Sequence, residues 1–325
     1  MSVHSKPLVA LTVGDPAGIG PEIVTAALAH TPVREQLDLC VIGPAALRPA
    51  DVPAVDEPTR SGRSLEWIPI EGPERWTLGE ASVTGGTYAL RALERGAQLA
   101  QAGDVDALVT APVCKEALHL AGEKVEGQTE LLGRWDGRPC WMIATAGDLR
   151  VLLVTRHMPL RLALDALTPT AVTEGAQALH DTLVRMGIAA PRIALAGINP
   201  HAGEGGLLGD DEERILEPAL RTLRQAGINV AGPLSPDTVF LAASEGEYDG
   251  VVALYHDQAF IPIKLLSAQR GLTIIAGLSY LRVSPVHGTA FDIVGQGKAD
   301  PGNLIHALLE VARWRSAPAG ELAAR

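Results

Sequence analysis

The stretch VVALYHDQAFIPIK, residues 251–264, begins as an apolar, β-branched run and then presents polar side chains without a spacer. Those side chains are Tyr255, His256, Asp257 and Gln258. A short apolar run bounded in this way is typical of a buried strand. Polar groups directly at its end are typical of a site built on strand tips.

Further runs of the same kind lie on both sides of this stretch and alternate with longer amphipathic segments. They are PLVALTVG, LDLCVIG, VDALVTAP, RVLLVTRH, RIALAGINPH and LTIIAGLSYL. Helical patterns cover residues 21–30, 84–102, 169–186 and 210–226. The alternation predicts an α/β fold, and 325 residues that are 47% hydrophobic predict about two domains. Residues 49–79, rich in Pro, Gly and charge, predict a variable loop or hairpin.

The charge balance excludes several classes of partner. The net charge is −11, the pI is near 5.3, and no block of Lys or Arg occurs, which argues against nucleic acid and membrane surfaces. An anionic small substrate would need local cations, for which Lys264 and Arg282 are candidates and surface charges the alternative. The first apolar run is interrupted too soon for a signal peptide or membrane span. The three cysteines lack CxxC spacing and predict a reducing cytoplasm.

Three of the nine histidines lie close behind an apolar run: His157, His201 and His256. Because sites in open α/β sheets assemble at strand ends, three imidazoles could converge there. Three neutral histidines suit zinc, cobalt, nickel or manganese and leave a position for substrate. The alternative is three separate, hydrogen-bonded loop histidines.

Two glycine-rich segments follow predicted strands. GINPHAGEGGLLGDDEE surrounds His201 and predicts a backbone that turns tightly or approaches a ligand, with a plain surface loop as the alternative. GDPAGIGPE, residues 14–22, is placed like a phosphate loop but lacks GxGxxG spacing, so as a dinucleotide signature it is weak. Its glycines and Asp15 could simply shape a strand-to-helix turn.

A family resemblance rests on eight motifs that occur in order along nearly the whole chain: TVGDPAGIGPE, TAPVCKEALHLAG, GQTELLG, TRHMPLR, GINPHAGEGG, GPLSPDTVF, YHDQAFIPIK and HGTAFDIVGQGKAD. Together they resemble the 4-hydroxythreonine-4-phosphate dehydrogenase family of pyridoxal phosphate biosynthesis. The last motif is also similar to a loop of isocitrate and isopropylmalate dehydrogenases. The resemblance therefore implies their two-domain α/β/α fold, with the active site in the interdomain cleft.

The resemblance also implies a domain organisation. Residues 1–126 with 290–325 would form a first α/β domain contributing to the cofactor cleft. Residues 127–289 would form a second α/β domain with the metal and substrate residues and the interface of a homodimer. In this family the site is shared across the dimer interface.

Specific residues follow from the resemblance. The metal ligands would be His157, His201 and His256, one of them supplied by the partner subunit, with Asp257 and Gln258 orienting the imidazoles. The substrate-binding positions would be Gln128, Thr129, Lys264, Thr273 and Arg282. Gln128 and Thr273 depart from the family pattern, which has His and Asn there. The adenosine part of NAD or NADP would lie near His287, Gly288, Thr289, Asp292 and Asp300.

The implied activity is a metal-dependent oxidation and decarboxylation. A divalent ion (Zn, Co, Mn or Mg) would activate the secondary alcohol of 4-phosphohydroxy-L-threonine, hydride would pass to NAD or NADP, and the β-keto acid would decarboxylate to 3-amino-2-oxopropyl phosphate. Lys115 is the acid/base candidate, with a structural salt bridge as the alternative. Asp237 is a second candidate, with a capping or turn role as the alternative.

Other functions remain open at this point. Gln128 and Thr273 keep 4-phospho-D-threonate, 4-phospho-D-erythronate or a carboxylated cis-dihydrodiol as alternative substrates. A metal hydrolase would also use three histidines but would not need the HGTAFDIVGQGKAD loop. A non-catalytic metabolite-binding dimer is the remaining alternative.

Overall fold

In a computed structural model, the structure describes residues 6–60, 64–73, 75–266 and 271–316. The strands are β1 (Leu8–Thr12), β2 (Asp38–Pro44), β3 (Leu65–Ile70), β4 (Ala107–Thr110), β5 (Trp141–Ala146), β6 (Leu149–Leu153), β7 (Ile193–Ala196), β8 (Val230–Leu234), β9 (Gly250–Ala253), β10 (Leu272–Ala276) and β11 (Arg282–Pro285). The α-helices are α1 (Gly20–Ala29), α2 (Thr31–Gln36), α3 (Val83–Ala102), α4 (Lys115–Leu120), α5 (Gln128–Asp136), α6 (Leu160–Asp165), α7 (Pro169–Arg185), α8 (Glu217–Gln225), α9 (Val239–Ser244), α10 (His256–Leu266) and α11 (Gly302–Ser316).

The chain divides into two compact units, the first formed by Met1–Pro139 with Leu278–Ser316. Its strands run in the order β3-β2-β1-β4-β11, and every pair in this series is parallel. The central strands are buried without alternation; Val9, Leu11 and Val109 are 0% exposed. Such continuous apolar runs are what a parallel sheet covered on both faces requires.

Helix α3 is the longest helix of the first unit. It begins where the Ser82 hydroxyl accepts a hydrogen bond from the Gly85 N–H, and it ends at Gly103 in the left-handed conformation. A Cβ at Gly86 would lie 1.9 Å from the Ala117 carbonyl oxygen in α4. The glycine therefore permits close contact between α3 and α4, the helix that begins at Lys115.

The second unit spans Cys140–Gly277, and its strands run in the order β10-β5-β6-β9-β7-β8. The β10–β5 and β5–β6 pairs are antiparallel, whereas β6, β9, β7 and β8 pair in parallel. Leu153, Ala194 and Val251 pack in one buried cluster with Phe240. Because β6, β9 and β7 are parallel neighbours, their carboxyl ends lie at the same edge of the sheet.

The predicted α/β class is confirmed, and each quoted apolar run contains a strand. Three of the four predicted helices match α1, α3 and α7 within a residue or two. The segment 210–226 differs, because a π-helical turn, Glu212–Leu216, precedes α8. Among the described residues, no helix is long and apolar enough to cross a membrane.

The prediction of a loop or hairpin over 49–79 was wrong for residues 65–70. This segment is β3, an edge strand parallel to β2 rather than half of a hairpin. Two residues, Glu66 and Pro69, made its sequence unlike that of a buried strand. Glu66 is 1% exposed, and its carboxyl oxygens accept hydrogen bonds from the Thr59 N–H and hydroxyl. Pro69 is tolerated because the strand lies at an edge.

The units change at 139/140 and at 277/278, whereas the sequence placed the domain boundaries at 126/127 and 289/290. Gln128, Thr129 and Arg282 consequently lie in the first unit. The predicted assignment of cofactor binding to one domain and metal binding to the other stays a prediction.

Candidate active site

The three predicted metal ligands follow three neighbouring parallel strands of the second unit. His157 comes after β6, His256 after β9 and His201 after β7, and β9 is the middle strand. The ends of β6 and β9 are joined beyond the ladder, because the Thr155 hydroxyl donates to the Leu254 carbonyl at 2.7 Å. The three segments that carry these histidines therefore leave the sheet at the same edge.

Two of the imidazoles, those of His157 and His256, lie side by side. Their ring centroids are 5.2 Å apart at an interplanar angle of 48°. Nδ1 of His256 lies 2.7 Å from Oδ1 of Asp257, and the ring stacks on Phe260 at 4.5 Å. A carboxylate on Nδ1 fixes the ring and leaves Nε2 for a metal. Both rings border a cavity of about 230 Å³ that is also lined by Met158, Leu160, Ala163, Tyr255 and Asp257.

The third imidazole, His201, stands on an unusual turn. His201, Ala202 and Glu204 have φ values of 51°, 53° and 43°, and the glycines between and after them are also left-handed. Each non-glycine residue in this conformation costs about 1–2 kcal/mol, so the surrounding structure must impose the turn. In the part of the chain that the structure describes, no three His, Cys, Asp or Glu side chains form a metal-holding group. His157 and His256 lie close together, and the predicted set of three metal ligands stays a prediction.

Buried side chains fix the strand ends that carry His256 and His201. Gln258 accepts a hydrogen bond from the Leu254 N–H at 2.7 Å and donates one to the Gly197 carbonyl at 2.7 Å. This amide joins the end of β9 to the segment after β7. Gln258 thus bonds backbone groups and no imidazole, and the predicted role in orienting the imidazoles stays a prediction.

In the first unit, Arg282 is a buried cation with an incomplete set of partners. The side chain is 3% exposed, and its terminal nitrogen donates to the Thr110 hydroxyl at 2.6 Å and to Oε1 of Gln128 at 2.9 Å. Within the described residues, Nε has no hydrogen-bond partner and no carboxylate pairs with the guanidinium. Burial lowers the pKa of Arg282 to about 10. A cation buried in this way favours the binding of an anion.

Other predicted residues surround this guanidinium. Gln128 and Thr129 are the first residues of α5, whose cap Gly127 offers no side-chain acceptor. Gln128 also donates to the Ala111 carbonyl at 3.2 Å, so both ends of its amide are occupied. A Cβ at Gly127 would lie 3.7 Å from Oε2 of Glu130 and 3.9 Å from Cε of Lys115. The buried guanidinium and the N-terminus of α5 suit a phosphate or carboxylate, whereas Lys115 has the Glu130 carboxylate beside the same glycine.

The predicted cofactor residues lie on the segment between β11 and α11, also in the first unit. The Thr289 carbonyl accepts a hydrogen bond from the Ile19 N–H, and a Cβ at Gly18 would lie 2.8 Å from that threonine's Cβ. The GDPAGIGPE segment therefore supports this loop by close packing. Nε2 of His287 is buried with no partner among the described residues, as a ligand-binding group would be.

The remaining cofactor candidates have more local roles. Asp300 accepts a hydrogen bond from the Gly302 N–H at 2.8 Å at the start of α11. Gly288 and Asp292 are exposed, and the Asp292 carbonyl accepts a bond from the Gln296 side chain. Their contact with a nucleotide stays a prediction.

Three candidates of the second unit and Lys115 are more open to solvent. Lys264 is exposed on α10, Thr273 is half-buried on β10, and Lys115 is exposed at the start of α4. Asp237 is exposed, and the hydrogen bond from the Ser235 hydroxyl lowers the pKa of its carboxyl, with a smaller contribution from the charge of His201. Asp237 therefore suits a hydrogen-bond acceptor or base better than an acid.

Two carboxylates near the candidate residues are buried, which the sequence did not predict. Asp15 is 0% exposed; Oδ1 accepts a bond from the Ala17 N–H, whereas Oδ2 has no partner among the described residues. Burial raises the pKa of Asp15. Glu212 is 6% exposed and lies behind the His201 turn. Both occur in the quoted glycine-rich segments, but nothing in the local pattern distinguishes a buried carboxylate from a surface one.

Comparison with known proteins identifies the class. A family model described as pyridoxal phosphate biosynthetic protein PdxA matches residues 23–311. D-threonate 4-phosphate dehydrogenase of Salmonella typhimurium is 45% identical over 309 residues, covering 90% of this chain and 94% of that protein. The 4-hydroxythreonine-4-phosphate dehydrogenase of Geobacter metallireducens is 38% identical, covering 98% of this chain and 99% of that protein.

Solved structures agree with this result. The 4-hydroxythreonine-4-phosphate dehydrogenase of Klebsiella pneumoniae superposes with a TM-score of 0.85 at 38% identity, covering 95% of this chain and 99% of that one. A β-decarboxylating dehydrogenase of Thermococcus kodakarensis shares only the fold, with a TM-score of 0.51 at 15% identity, covering 98% of this chain and 86% of that one. These relatives define the class of the protein, an oxidoreductase of the dehydrogenase type. The chain belongs to the PdxA family of pyridoxal phosphate biosynthetic proteins.

Proposed function

We propose that the protein is a metal-dependent NAD or NADP dehydrogenase that oxidises and decarboxylates a phosphorylated β-hydroxy acid. The observation that supports an anionic substrate is the environment of Arg282. Its guanidinium is 3% exposed and has no carboxylate partner among the described residues. Its position beside the N-terminus of α5 supports a phosphate or carboxylate as the missing partner. Gln128, Thr129, Lys264, Thr273 and Arg282 are the proposed substrate residues.

The proposed metal site uses His157, His201 and His256. The paired rings of His157 and His256, with Asp257 on Nδ1, fit a divalent ion held by neutral imidazoles. A third ligand from a partner subunit would complete the set. When bound, the ion would supply Lewis acidity for the substrate alcohol and for the ketone oxygen that takes up negative charge as carbon dioxide leaves, and the nicotinamide would supply a hydride acceptor. Zn, Co, Mn and Mg are the candidate ions.

The protein's own residues would hold the substrate and move its protons. Arg282 and Lys264 would bind the anionic groups, and the backbone N–H groups in the first turn of α5 would add donors. Lys115 is the proposed proton donor to the product carbon, with an ion pair to Glu130, which lies beside the same glycine, as the alternative role. Asp237 is the proposed proton acceptor for the alcohol; the hydrogen bond from Ser235 lowers its pKa, which keeps it ionised and makes it a weak base.

The nucleotide is proposed to bind along His287, Gly288, Thr289, Asp292 and Asp300. The buried, unpartnered Nε2 of His287 supports a ligand at this loop. NAD and NADP both stay in the proposal. The 2′-phosphate of NADP would need a cation, and the one lysine of the described loop, Lys298, lies 2.9 Å from the Gln296 side chain.

Two substrates lead the proposal. 4-Phospho-D-threonate is the first, because the 45% identical relative carries that name. 4-Phosphohydroxy-L-threonine is the second, since the 38% identical relative carries that one; its product would be 3-amino-2-oxopropyl phosphate. The two substrates differ only in a hydroxyl or an amine beside the carboxylate. They therefore share one reaction and one phosphate site.

We infer a homodimer from an apolar surface on the second unit. Leu241, Ile261 and Leu265 are 61%, 60% and 79% exposed and line a groove of about 520 Å³ beside Asp257. A patch of this kind next to an incomplete metal site suits a second copy of the chain, which would supply the missing ligand. A cytoplasmic location is part of the proposal and is supported by three cysteines without disulfide bonds.

The decisive experiment measures formation of reduced nicotinamide by the purified protein with a divalent ion and NAD or NADP. The panel contains 4-phospho-D-threonate, 4-phosphohydroxy-L-threonine, 4-phospho-D-erythronate and a carboxylated cis-dihydrodiol. Turnover of the first at least tenfold better than of the others supports the leading substrate. Turnover of the second alone would move the protein to pyridoxal phosphate synthesis, and no turnover of any member would overturn the proposal.

A further inference from the structure

We propose that Glu212 is a positioning residue that holds the left-handed turn of His201 in the form needed to bind the metal. The inference rests on the proposed metal site and adds to it a residue that does not touch the ion. It starts from a backbone that the sequence alone does not favour. Five consecutive residues, from His201 to Gly205, have positive φ, and three of them are not glycine.

The carboxylate of Glu212 accepts hydrogen bonds from the residues that precede this turn. Oε1 accepts hydrogen bonds from the Ile198 N–H at 2.8 Å and the Asn199 N–H at 2.7 Å. Oε2 accepts a bond from the Asn199 side-chain amide at 2.9 Å. The carboxylate is 6% exposed, so these donors replace water around its charge. Bonds from N–H groups to a buried carboxylate are stronger than those between neutral groups.

The turn also contacts this carboxylate directly. A Cβ at Gly203 would lie 2.8 Å from Oε2 of Glu212, whereas a Cβ at Gly205 would meet nothing within 4 Å. The backbone at Gly203 therefore packs against the glutamate. Glu212 therefore contacts this segment in two places. It accepts hydrogen bonds from Ile198 and Asn199 before His201, and it packs against Gly203 after His201.

Gln258 connects the same segment to the other histidines. Its amide bonds the Gly197 carbonyl, directly before Ile198, while accepting from the Leu254 N–H two residues before His256. The start of the His201 turn is thus held between β9 and Glu212. Without the carboxylate, the left-handed residues would relax towards ordinary φ values, and His201 would leave its position.

The first test measures divalent metal affinity of the full-length protein by calorimetry with Zn²⁺ and with Mn²⁺. Glu212→Gln keeps the size of the side chain but removes the charge that three donors share. We expect about 10–100-fold weaker binding, as is usual when residues that orient metal ligands are changed. The matched control is Glu213→Gln, because Glu213 is the next residue and is exposed. Its affinity should equal that of the wild type.

The second test separates positioning from general stability. Gly203→Ala and Gly205→Ala introduce the same methyl group at two left-handed positions, with φ values of 79° and 67° and ψ values of −3° and 28°. Only the first places a methyl group against Glu212. We expect Gly203→Ala to weaken metal binding at least tenfold more than Gly205→Ala. A purely structural role would instead lower the thermal midpoint of the metal-free protein and leave the metal affinity unchanged.

The outcomes distinguish this inference from the proposed function. If the wild type binds neither ion, or if His201→Ala binds as tightly as the wild type, the metal site fails and this inference fails with it. If His201→Ala loses affinity but Glu212→Gln does not, the metal site stands and the role of Glu212 is refuted. Recovery of Glu212→Gln turnover at high metal concentration, with weakened affinity, supports the positioning role.

Discussion

The side-chain carbonyl of Gln128 accepts a hydrogen bond from the guanidinium of Arg282 at 2.9 Å, across 154 positions of sequence. The other end of the amide donates to the Ala111 carbonyl. We therefore expect the glutamine to act on an anionic substrate mainly through the arginine that it orients. A neutral amide is sufficient for that role, because it needs only an acceptor for the guanidinium and a donor for the Ala111 carbonyl.

Gln128→Ala should raise KM for the phosphorylated substrate about 10–100-fold, because a hydrogen bond to a charged group contributes about 1.5–3 kcal/mol. We expect a smaller change in kcat. Steady-state kinetics with saturating cofactor and metal measure both constants. Gln101→Ala is the control, since Gln101 is exposed and bonds Asp136 instead. Equal KM values for the two variants would refute the coupling.

Gln128→Glu should separate stability from binding. A carboxylate beside Arg282 would pair with the buried guanidinium and repel a substrate phosphate. We therefore expect a higher free energy of unfolding by about 1–3 kcal/mol, with weaker substrate binding. Urea denaturation and KM together test this. A variant that is destabilised and binds substrate normally would contradict the proposed anion site.

His256→Ala should abolish turnover and leave the fold intact. The ring lies on the surface of a cavity, packed on Phe260 and beside His157, so removing it creates no large buried void. The measurements are nicotinamide reduction and circular dichroism. His180→Ala, on the outer part of α7, should retain full activity. Undiminished turnover of His256→Ala would exclude it as a metal ligand.

Asp15→Asn should stabilise the protein at neutral pH. Burial raises the pKa of Asp15 above 3.8, so the folded state holds the proton more tightly than the unfolded state. The wild type therefore loses stability as pH rises from 3.8 through the raised value, and the full penalty is present above it. The amide carries no charge and avoids the cost of desolvating the carboxylate, whereas its Nδ2 lacks a partner among the described residues, as Oδ2 does.

Urea denaturation across this pH range tests the sign for Asp15. The gain of the Asn variant should be largest at neutral pH and shrink as the pH falls towards 3.8. Asp51→Asn, at an exposed position, should show no such trend. A gain that grows on acidification would show that the carboxylate is stabilised by an unidentified partner.

Leu265→Glu should dissociate the proposed homodimer and reduce turnover with it. Leu265 is 79% exposed on the apolar groove, and a charge there cannot be buried against a second copy without a large desolvation cost. Sedimentation velocity measures the mass, and Val184→Glu, on α7, is the control. A monomeric wild type, or a fully active monomeric Leu265→Glu, would refute a shared site.

Most of the fold was accessible from the sequence because its signals are local. Apolar runs such as VVAL bury on both faces of a parallel sheet, and the helices between them carry their own period and caps. The sequence also showed that His157, His201 and His256 each follow an apolar run. The structure then showed that these runs are neighbouring strands. Strand β3 could not be predicted from the sequence, because Glu66 and Pro69 interrupt its apolar pattern. Both residues are accommodated by tertiary structure: Glu66 by its bonds to Thr59 and Pro69 by the edge position of the strand.

By itself, the sequence determined the α/β class, the family motifs and the residue types at the candidate site. Only the tertiary structure decided which of these residues act together. It placed Arg282 beside Gln128, left Asp15 buried without a full set of partners, and put Glu212 behind the His201 turn. The physical reason is that periodicity depends on neighbours a few positions away. Burial, ion pairing and backbone strain depend on groups brought together from distant parts of the chain.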